Sequence, residues 1–207
     1  MNLSQTDFEP VADGLANHGY AVVDDFLNEK EVESILMLDT FRQGLSEFKK
    51  AGIGQSASKQ INESIRGDFI QWIDTNTAQP ALLPYLSKID ALILFLNQSL
   101  FLSLKDFEMH MTVYPPGSYY KKHLDQFKAD DHRKLSVICY LNTNWKDEHG
   151  GQLRMHFQNE YKDILPLAGR LVCFRSDQVE HEVLPATRER LSLTGWMLDQ
   201  KIDLKHL

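Results

Sequence analysis

The sequence is poor in cysteine and contains no long apolar run. Its two cysteines, Cys139 and Cys173, both lie inside apolar, strand-like stretches. We therefore expect two buried free thiols and no disulfide framework. The sequence has no continuous run of 18 apolar residues and no signal-like start, so we expect no membrane partner and a cytoplasmic location.

Positive charge is also scarce. The chain has 22 Lys and Arg residues against 29 Asp and Glu, a net charge of −7. We expect no nucleic-acid partner, because an acidic chain without a basic, aromatic-rich stripe suits a phosphate backbone poorly. The length of 207 residues and the ordinary composition predict one domain spanning residues 1–207. The sequence leaves the oligomeric state open.

Residues 1–105 predict helices with a few short strands. Strands are expected at Tyr20–Val23 and within GDFIQWI, and Asn28 with Glu31 forms a capping-box pattern at a helix start. Small polar residues and two glycines in residues 51–65 indicate a mobile loop. A long helix follows, with one apolar stripe made by Leu82, Leu86, Ile89, Ile93, Leu96 and Leu100.

From residue 106 the hydrophobic period changes to two. Six short alternating runs are separated by turns such as PPGS and GG: EMHMTVY, KLSVICYL, GQLRMHF, GRLVCFR, EHEVL and RLSLTGWML. Helices first and strands second predict an α+β fold. Residues 1–105 would then support an antiparallel core formed by residues 106–199, a sandwich or a barrel.

A candidate metal site is carried by HLD, residues 123–125. In an extended strand His123 and Asp125 face the same side, and two imidazoles with one carboxylate form the facial triad of non-haem Fe(II) oxygenases. His181, which begins a later predicted strand, is the best placed of the other histidines. Each residue alone also has an ordinary explanation, such as a turn-capping aspartate or a structural histidine.

A second group of residues suits an anionic ligand. Arg190 shares one face of its predicted strand with Trp196, while leucines take the other face. A guanidinium in this setting can hold a carboxylate through two charge-assisted hydrogen bonds. Tyr140 on a neighbouring strand could reach the same carboxylate, and Tyr114 could face the metal. A dicarboxylic acid held beside a triad iron is the arrangement expected for 2-oxoglutarate.

Together these motifs resemble one family. The segments YPPGSYYKKHLD, SVICYLNTNW, HGGQLRMHF, GRLVCFRSD and HEVLPATRERLSLTGWMLD, with HGYAVVDDFL and IRGDFIQWI upstream, closely resemble the 2-oxoglutarate- and Fe(II)-dependent prolyl 4-hydroxylases. The likeness is greatest to the oxygen-sensing, hypoxia-inducible-factor type and its bacterial relatives, and it covers roughly residues 15–199. It implies a double-stranded β-helix, a jelly-roll or cupin-like core with packing helices on its N-terminal side.

The resemblance also implies roles for individual residues. His123, Asp125 and His181 match the iron ligands, and Arg190, nine residues after His181, matches the arginine that binds 2-oxoglutarate. Residues 51–70 match the loop that covers the substrate. The remaining matches are cosubstrate-pocket residues at Tyr114, Tyr140 and Trp196, and substrate-side residues at Tyr120, Arg133, Arg66 and Asp68.

The implied activity is hydroxylation of a proline in a protein. The reaction consumes 2-oxoglutarate and O2 with Fe(II) as the metal, releases succinate and CO2, and could draw on ascorbate. For a bacterial chain, family analogy names elongation factor Tu as one candidate substrate. Two alternatives stay open: a 2-oxoglutarate hydroxylase of another residue type or a small molecule, and a non-catalytic jelly-roll binding module. The long loop at residues 51–65 favours a peptide over a compact metabolite.

Overall fold

The computed structural model describes residues 8–52, 64–126 and 131–200. Within them, the α-helices are α1 (Glu9–His18), α2 (Glu29–Leu36), α3 (Asp39–Arg42) and α4 (Leu83–Leu100). The strands are β1 (Tyr20–Val23), β2 (Lys49–Lys50), β3 (Phe69–Ile73), β4 (Asp106–Tyr114), β5 (Tyr120–His123), β6 (Arg133–Tyr140), β7 (Leu153–His156), β8 (Tyr161–Ile164), β9 (Leu171–Arg175), β10 (Glu180–Val183) and β11 (Arg190–Leu198).

The strands form two antiparallel sheets. The major sheet has seven strands in the order β1-β9-β6-β11-β4-β3-β2, and the minor sheet has four in the order β5-β10-β7-β8. Several neighbouring strands are far apart in sequence, such as β1 with β9, β11 with β4 and β5 with β10, as in a jelly roll. This architecture confirms the predicted α+β double-stranded β-helix. The strands β1 to β3 also join the major sheet, so residues 1–105 contribute to the sheet as well as to the helices.

Alternation along each strand sends side chains of the major sheet into two separate cores. The outer core lies under the helices, where Val137 and Cys139 of β6 pack with residues such as Ile89 of α4. The inner core lies between the two sheets, where Ile138 and Tyr140 of the same strand pack with residues of the minor sheet. The candidate site residues lie on this inner side.

Three local predictions from the sequence are confirmed. The strand β1 has the expected bounds. At the start of α2, the Asn28 amide donates to Glu31 Oε2 at 2.8 Å and the Glu31 amide donates to Asn28 Oδ1 at 3.0 Å, which is a complete capping box. Both cysteines are buried free thiols.

The number of strands after residue 106 was underestimated. Six were predicted, and the described residues 106–126 and 131–200 contain eight, because β5 (YKKH) and β8 (YKDI) are strands as well. Both are short, charged and largely exposed, so they lack the apolar alternation on which the prediction depended. His123 is the last residue of β5 and Asp125 lies beyond it in a bend, so the assumption that both belong to one strand was wrong.

The buried face of α4 also differs from the predicted stripe. Leu86 and Ile93 are only partly buried, and Tyr85, Leu92 and Phe95 are buried instead. The helix is apolar on several faces, so periodicity alone could not choose the face that packs. By length and composition residues Pro80–Leu100 could cross a membrane. In the structure the buried residues of this helix belong to the core shared with the major sheet.

The predicted loop at residues 51–65 is described only at its two ends, since residues 53–63 lie outside the described residues. After the gap, residues 64–68 run antiparallel to β5. The Lys121 amide donates to the Ile65 carbonyl and the Gly67 amide donates to the Tyr119 carbonyl, both at 2.9 Å. The loop is therefore attached next to the strand that carries His123.

Candidate active site

The two histidines of the candidate triad lie side by side on neighbouring strands of the minor sheet. His123 on β5 and His181 on β10 are register partners, and their ring centroids are 4.3 Å apart. Each Nδ1 lies beside the carbonyl oxygen two residues earlier, Lys121 for His123 at 2.7 Å and Val179 for His181 at 3.0 Å. Because Nδ1–H donates to these carbonyls, each Nε2 keeps a lone pair that can bind a metal.

Asp125 completes the triad from the bend that follows β5. Its Oδ1 lies 3.3 Å from His123 Nε2, and its Oδ2 lies 3.8 Å from His181 Nε2. One ligand atom from each of the three residues lies within 4.8 Å of the others. Two imidazole nitrogens and one carboxylate oxygen this close together are the donor set of a non-haem iron site.

The electrostatics of the triad favour the protonation states that a metal needs. Burial, assisted by His123 and opposed by Asp125, lowers the pKa of His181 to about 4. Burial by itself raises the pKa of Asp125, but His181, His123 and the Ser136 hydroxyl outweigh it and hold the pKa well below its usual range. At neutral pH the site therefore has a neutral His181 and an ionised Asp125.

Arg190 lies on the inner face of the major sheet with only 1% of its surface exposed. Its Nε donates to the Gly151 carbonyl at 2.9 Å, and its guanidinium carbon lies 4.9 Å and 5.1 Å from the ring centroids of Tyr140 and Tyr114. Its Nη2 and the Tyr140 hydroxyl are buried without a hydrogen-bond partner among the described residues. Two buried donors without acceptors fit the far carboxylate of 2-oxoglutarate.

Tyr140 is suited to donate in this position. Burial raises its pKa more than the nearby Arg190 lowers it, so the hydroxyl keeps its proton. Trp196, on the same face of β11 as Arg190, has an indole nitrogen that is likewise buried without a partner among the described residues. Buried donors without acceptors, on the inner face that also bears Ser136, suit an oxygen-rich cosubstrate.

Comparison with known proteins agrees with this geometry. Residues 109–198 match the 2OG-Fe(II) oxygenase superfamily. A prolyl-4-hydroxylase structure from Pseudomonas putida is 45% identical, with a TM-score of 0.81, over 92% of this chain and 98% of that chain. The chain belongs to the prolyl hydroxylase family of 2-oxoglutarate- and Fe(II)-dependent oxygenases.

Animal members of the family are similar as well. A Trichoplax adhaerens prolyl hydroxylase, solved with a peptide of the hypoxia-inducible factor oxygen degradation domain, is 29% identical with a TM-score of 0.83 over 94% of this chain and 90% of that chain. The hypoxia-inducible factor prolyl hydroxylase of Caenorhabditis elegans is 32% identical over 93% of this chain, and human Egl nine homolog 1 is 33% identical over 88% of it. The chain spans 28% and 44% of the lengths of these two proteins.

The prolyl hydroxylase family uses Fe(II), 2-oxoglutarate and O2, and the residues described above fit these groups. Three nitrogen and oxygen ligands on one side leave coordination positions for a cosubstrate. Arg190 and Tyr140 lie where a second carboxylate can reach them.

The predicted substrate-side residues form contacts with one another. Arg66 makes two hydrogen bonds to Asp68, at 2.7 Å and 2.6 Å, and its guanidinium carbon lies 4.2 Å from the ring centroid of Tyr120. Tyr120 in turn stacks on His123, with centroids 3.6 Å apart and planes 17° apart. Side-chain contacts therefore connect Asp68 and Arg66, through Tyr120, to the triad residue His123.

Arg133 on β6 packs against Trp196 of the neighbouring strand β11. Its Nε donates to Glu108 at 2.8 Å, and its guanidinium carbon lies 3.7 Å from the ring centroid of Trp196. The ring of Trp196 is also 6.1 Å from Trp72, which is 37% exposed. Together these residues form an aromatic surface with charged groups, exposed to solvent at Trp72.

Two residues at the site were not identified from the sequence. Ser136 on β6 donates to Asp125 Oδ2 at 2.7 Å, and its hydroxyl lies 2.8 Å from that of Ser176. A signal was present, because Ser136 shares the inward face of SVICY with Tyr140 and is a polar residue on that face. Ser176 follows β9 in a turn, where a serine is unremarkable in sequence.

Proposed function

We propose that this chain hydroxylates a proline in a protein substrate. The observation that carries the proposal is the buried guanidinium of Arg190, whose Nη2 has no partner among the described residues, beside the unpaired Tyr140 hydroxyl. Tyr140 shares the inner face of β6 with Ser136, which donates a hydrogen bond to the triad residue Asp125. Burying a charged group without its full set of partners costs free energy, so such an arrangement is retained where a ligand completes it. Family membership supplies the reaction type.

The proposed roles divide between metal and cosubstrate. His123, Asp125 and His181 would hold Fe(II), and Arg190 with Tyr140 would bind the far carboxylate of 2-oxoglutarate. When bound, these groups supply the oxidation, in which one atom of O2 enters the prolyl ring and the other enters succinate while CO2 is released.

The side chains of the protein orient the reactants and exclude water. Arg190 would bind the far carboxylate of the cosubstrate through Nη2, and the hydrogen bond from its Nε to the Gly151 carbonyl holds the guanidinium in one orientation. Phe174 packs edge-on against His181, at 4.6 Å between centroids, and covers that ligand on the inner side. Removal of water from this side protects the oxidising site from unproductive reactions.

A protein substrate is supported by the aromatic surface of Trp72 and Trp196. This surface suits the apolar side chains of a peptide, and the neighbouring arginines are already paired, Arg133 with Glu108 and Arg66 with Asp68. Elongation factor Tu is one candidate by family analogy, and a cytoplasmic location would be consistent with it. A hydroxylase of another residue type or of a small molecule is the alternative.

The test is mass spectrometry of peptides from a host lysate treated with Fe(II), 2-oxoglutarate and either wild-type protein or Asp125→Ala. We expect one added oxygen on defined prolines with the wild type alone. The Asp125→Ala variant serves as the matched control, because it removes a ligand without changing the rest of the site.

The other outcomes are equally informative. Succinate formed by the wild type without oxidised proline would contradict the prolyl substrate and favour the alternative hydroxylase. An absence of both succinate and metal binding in the wild type would contradict the proposed iron site.

A further inference from the structure

The three ligand residues of the triad are not held in the same way. His123 and His181 are oriented by backbone carbonyls, which no side-chain substitution removes. The Asp125 carboxylate instead accepts a hydrogen bond from the Ser136 hydroxyl, at 2.7 Å. The carboxylate is therefore the one ligand of the triad for which the described residues show a side-chain hydroxyl as support.

The support consists of two serines rather than one. The hydroxyls of Ser136 and Ser176 lie 2.8 Å apart, and the two residues are 1% and 0% exposed. Ser136 has one proton, which it donates to the acceptor-only carboxylate of Asp125. Ser176 must then donate to Ser136, so the order of donation is Ser176 to Ser136 to Asp125. Successive hydroxyl groups in this order strengthen one another.

The serine pair also joins the two sheets at the site. Asp125 follows β5 of the minor sheet, whereas Ser136 lies on β6 and Ser176 directly follows β9, both in the major sheet. A backbone hydrogen bond links the same two segments: the Gln126 amide donates to the Ser176 carbonyl at 3.1 Å. The backbone bond fixes where Asp125 lies, and the hydroxyl chain fixes how its carboxylate is turned.

The consequence concerns the two carboxylate oxygens. Oδ2 is occupied by Ser136, and Oδ1 is the oxygen nearer to His123 Nε2. A carboxylate fixed at one oxygen presents the other as a single ligand atom. A metal bound through one oxygen of Asp125 keeps more positions open for other ligands than one bound through both oxygens.

We propose that Ser136 and Ser176 are positioning residues for the metal, acting through Asp125. This inference rests on the proposed function, since it needs the triad to bind a metal. It assigns a role to two buried hydroxyls outside the ligand set, and it predicts that they act in series, with Ser176 effective only through Ser136.

The experiment measures Co(II) binding to the full chain by competition with a chelator, without cosubstrate. We expect Ser136→Ala to weaken Co(II) binding by about 10- to 100-fold, the usual loss when a partner of a ligand is removed. Ser176→Ala should have a smaller effect, a loss of about 3- to 10-fold. Ser136→Thr keeps the hydroxyl and should bind Co(II) close to the wild-type level.

The double variant tests the series arrangement. Residues that act through one another are non-additive, so Ser136→Ala with Ser176→Ala should bind Co(II) as Ser136→Ala alone does. Thr40→Ala is the matched control, because it removes a buried hydroxyl in α3, away from the triad, and should leave Co(II) affinity unchanged. The melting temperature of each metal-free variant separates loss of the fold from loss of the ligand.

Two results would overturn the inference. Co(II) affinity within about twofold of wild type in a folded Ser136→Ala would show that the serines do not orient the ligand, and additive losses in the double variant would show that they do not act in series. If Ser136→Ala does not fold, an unchanged affinity in Ser176→Ala decides against the proposal. A wild type that binds Co(II) no better than Asp125→Ala would overturn the metal site and this inference together, whereas wild-type binding with unaffected serine variants overturns this inference alone.

Discussion

The two faces of β11 belong to the same nine residues and differ in almost every respect. On the outer face Leu193 and Met197 are fully buried among apolar neighbours. On the inner face Arg190 and Trp196 are also buried, yet each keeps a side-chain nitrogen without a partner among the described residues. The outer face contributes stability through close packing, and the inner face retains unpaired donors that a ligand can use.

Arg190→Ala removes the charged donor of the inner face and should give the largest difference between the two faces. We expect affinity for 2-oxoglutarate to fall on the order of 10²- to 10³-fold, because a buried charged partner is lost. Co(II) affinity should stay at the wild-type level, since the triad is untouched. Calorimetric titration of 2-oxoglutarate into Co(II)-loaded protein measures the loss.

Arg190→Lys is the control for charge alone. A lysine cannot form two parallel hydrogen bonds, so it should recover little of the affinity. Unchanged 2-oxoglutarate affinity in Arg190→Ala would contradict the role given to this arginine.

Leu193→Ala is the matching change on the outer face. Removing this fully buried side chain should lower the free energy of unfolding by about 2–5 kcal/mol through the lost packing and the cavity left behind. Urea denaturation measures it. Affinities of the remaining folded protein for Co(II) and 2-oxoglutarate should not change, and a large change in either would mean that the two faces are not independent.

Tyr140→Phe should separate stability from binding on the inner face. The hydroxyl is buried without a partner among the described residues, so its removal should raise the melting temperature of the ligand-free protein slightly. It should also weaken 2-oxoglutarate binding by about 10-fold, the effect of one hydrogen bond to a charged group. A variant that loses both stability and binding would show that the hydroxyl has a structural partner.

Burial of His110 on the inner face should make the stability of the protein depend on pH. Burial, with smaller contributions from Arg66 and Arg133, lowers the pKa of His110 to about 3 from an ordinary value of 6.5. Between these pH values His110 is protonated in the unfolded chain and neutral in the folded chain. The free energy of unfolding therefore falls as pH drops from about 6.5 to about 3.

In His110→Gln this contribution disappears. The slope of unfolding free energy against pH should be smaller than in the wild type by about 1.4 kcal/mol per pH unit between pH 4 and 6, one proton's worth. Denaturation series at several pH values measure both slopes. Identical slopes would mean that His110 is protonated in the folded state.

Much of the site could be predicted because its chemistry depends on residue types at fixed spacing. His123 with Asp125, the later His181 and Arg190 nine residues on are a pattern that few other functions need. The strand β1, the capping box at α2 and the buried cysteines also followed from local patterns, since they involve neighbours in the chain.

By itself, the sequence determined the period of each segment, the residues able to bind a metal and the likeness to one family. Only the tertiary structure decided which face of α4 is buried, that YKKH forms a strand, and that Ser136 and Ser176 meet at Asp125. The reason is physical: these outcomes depend on contacts between residues distant in the chain, and hydrogen bonds across two sheets leave no periodic trace in a sequence.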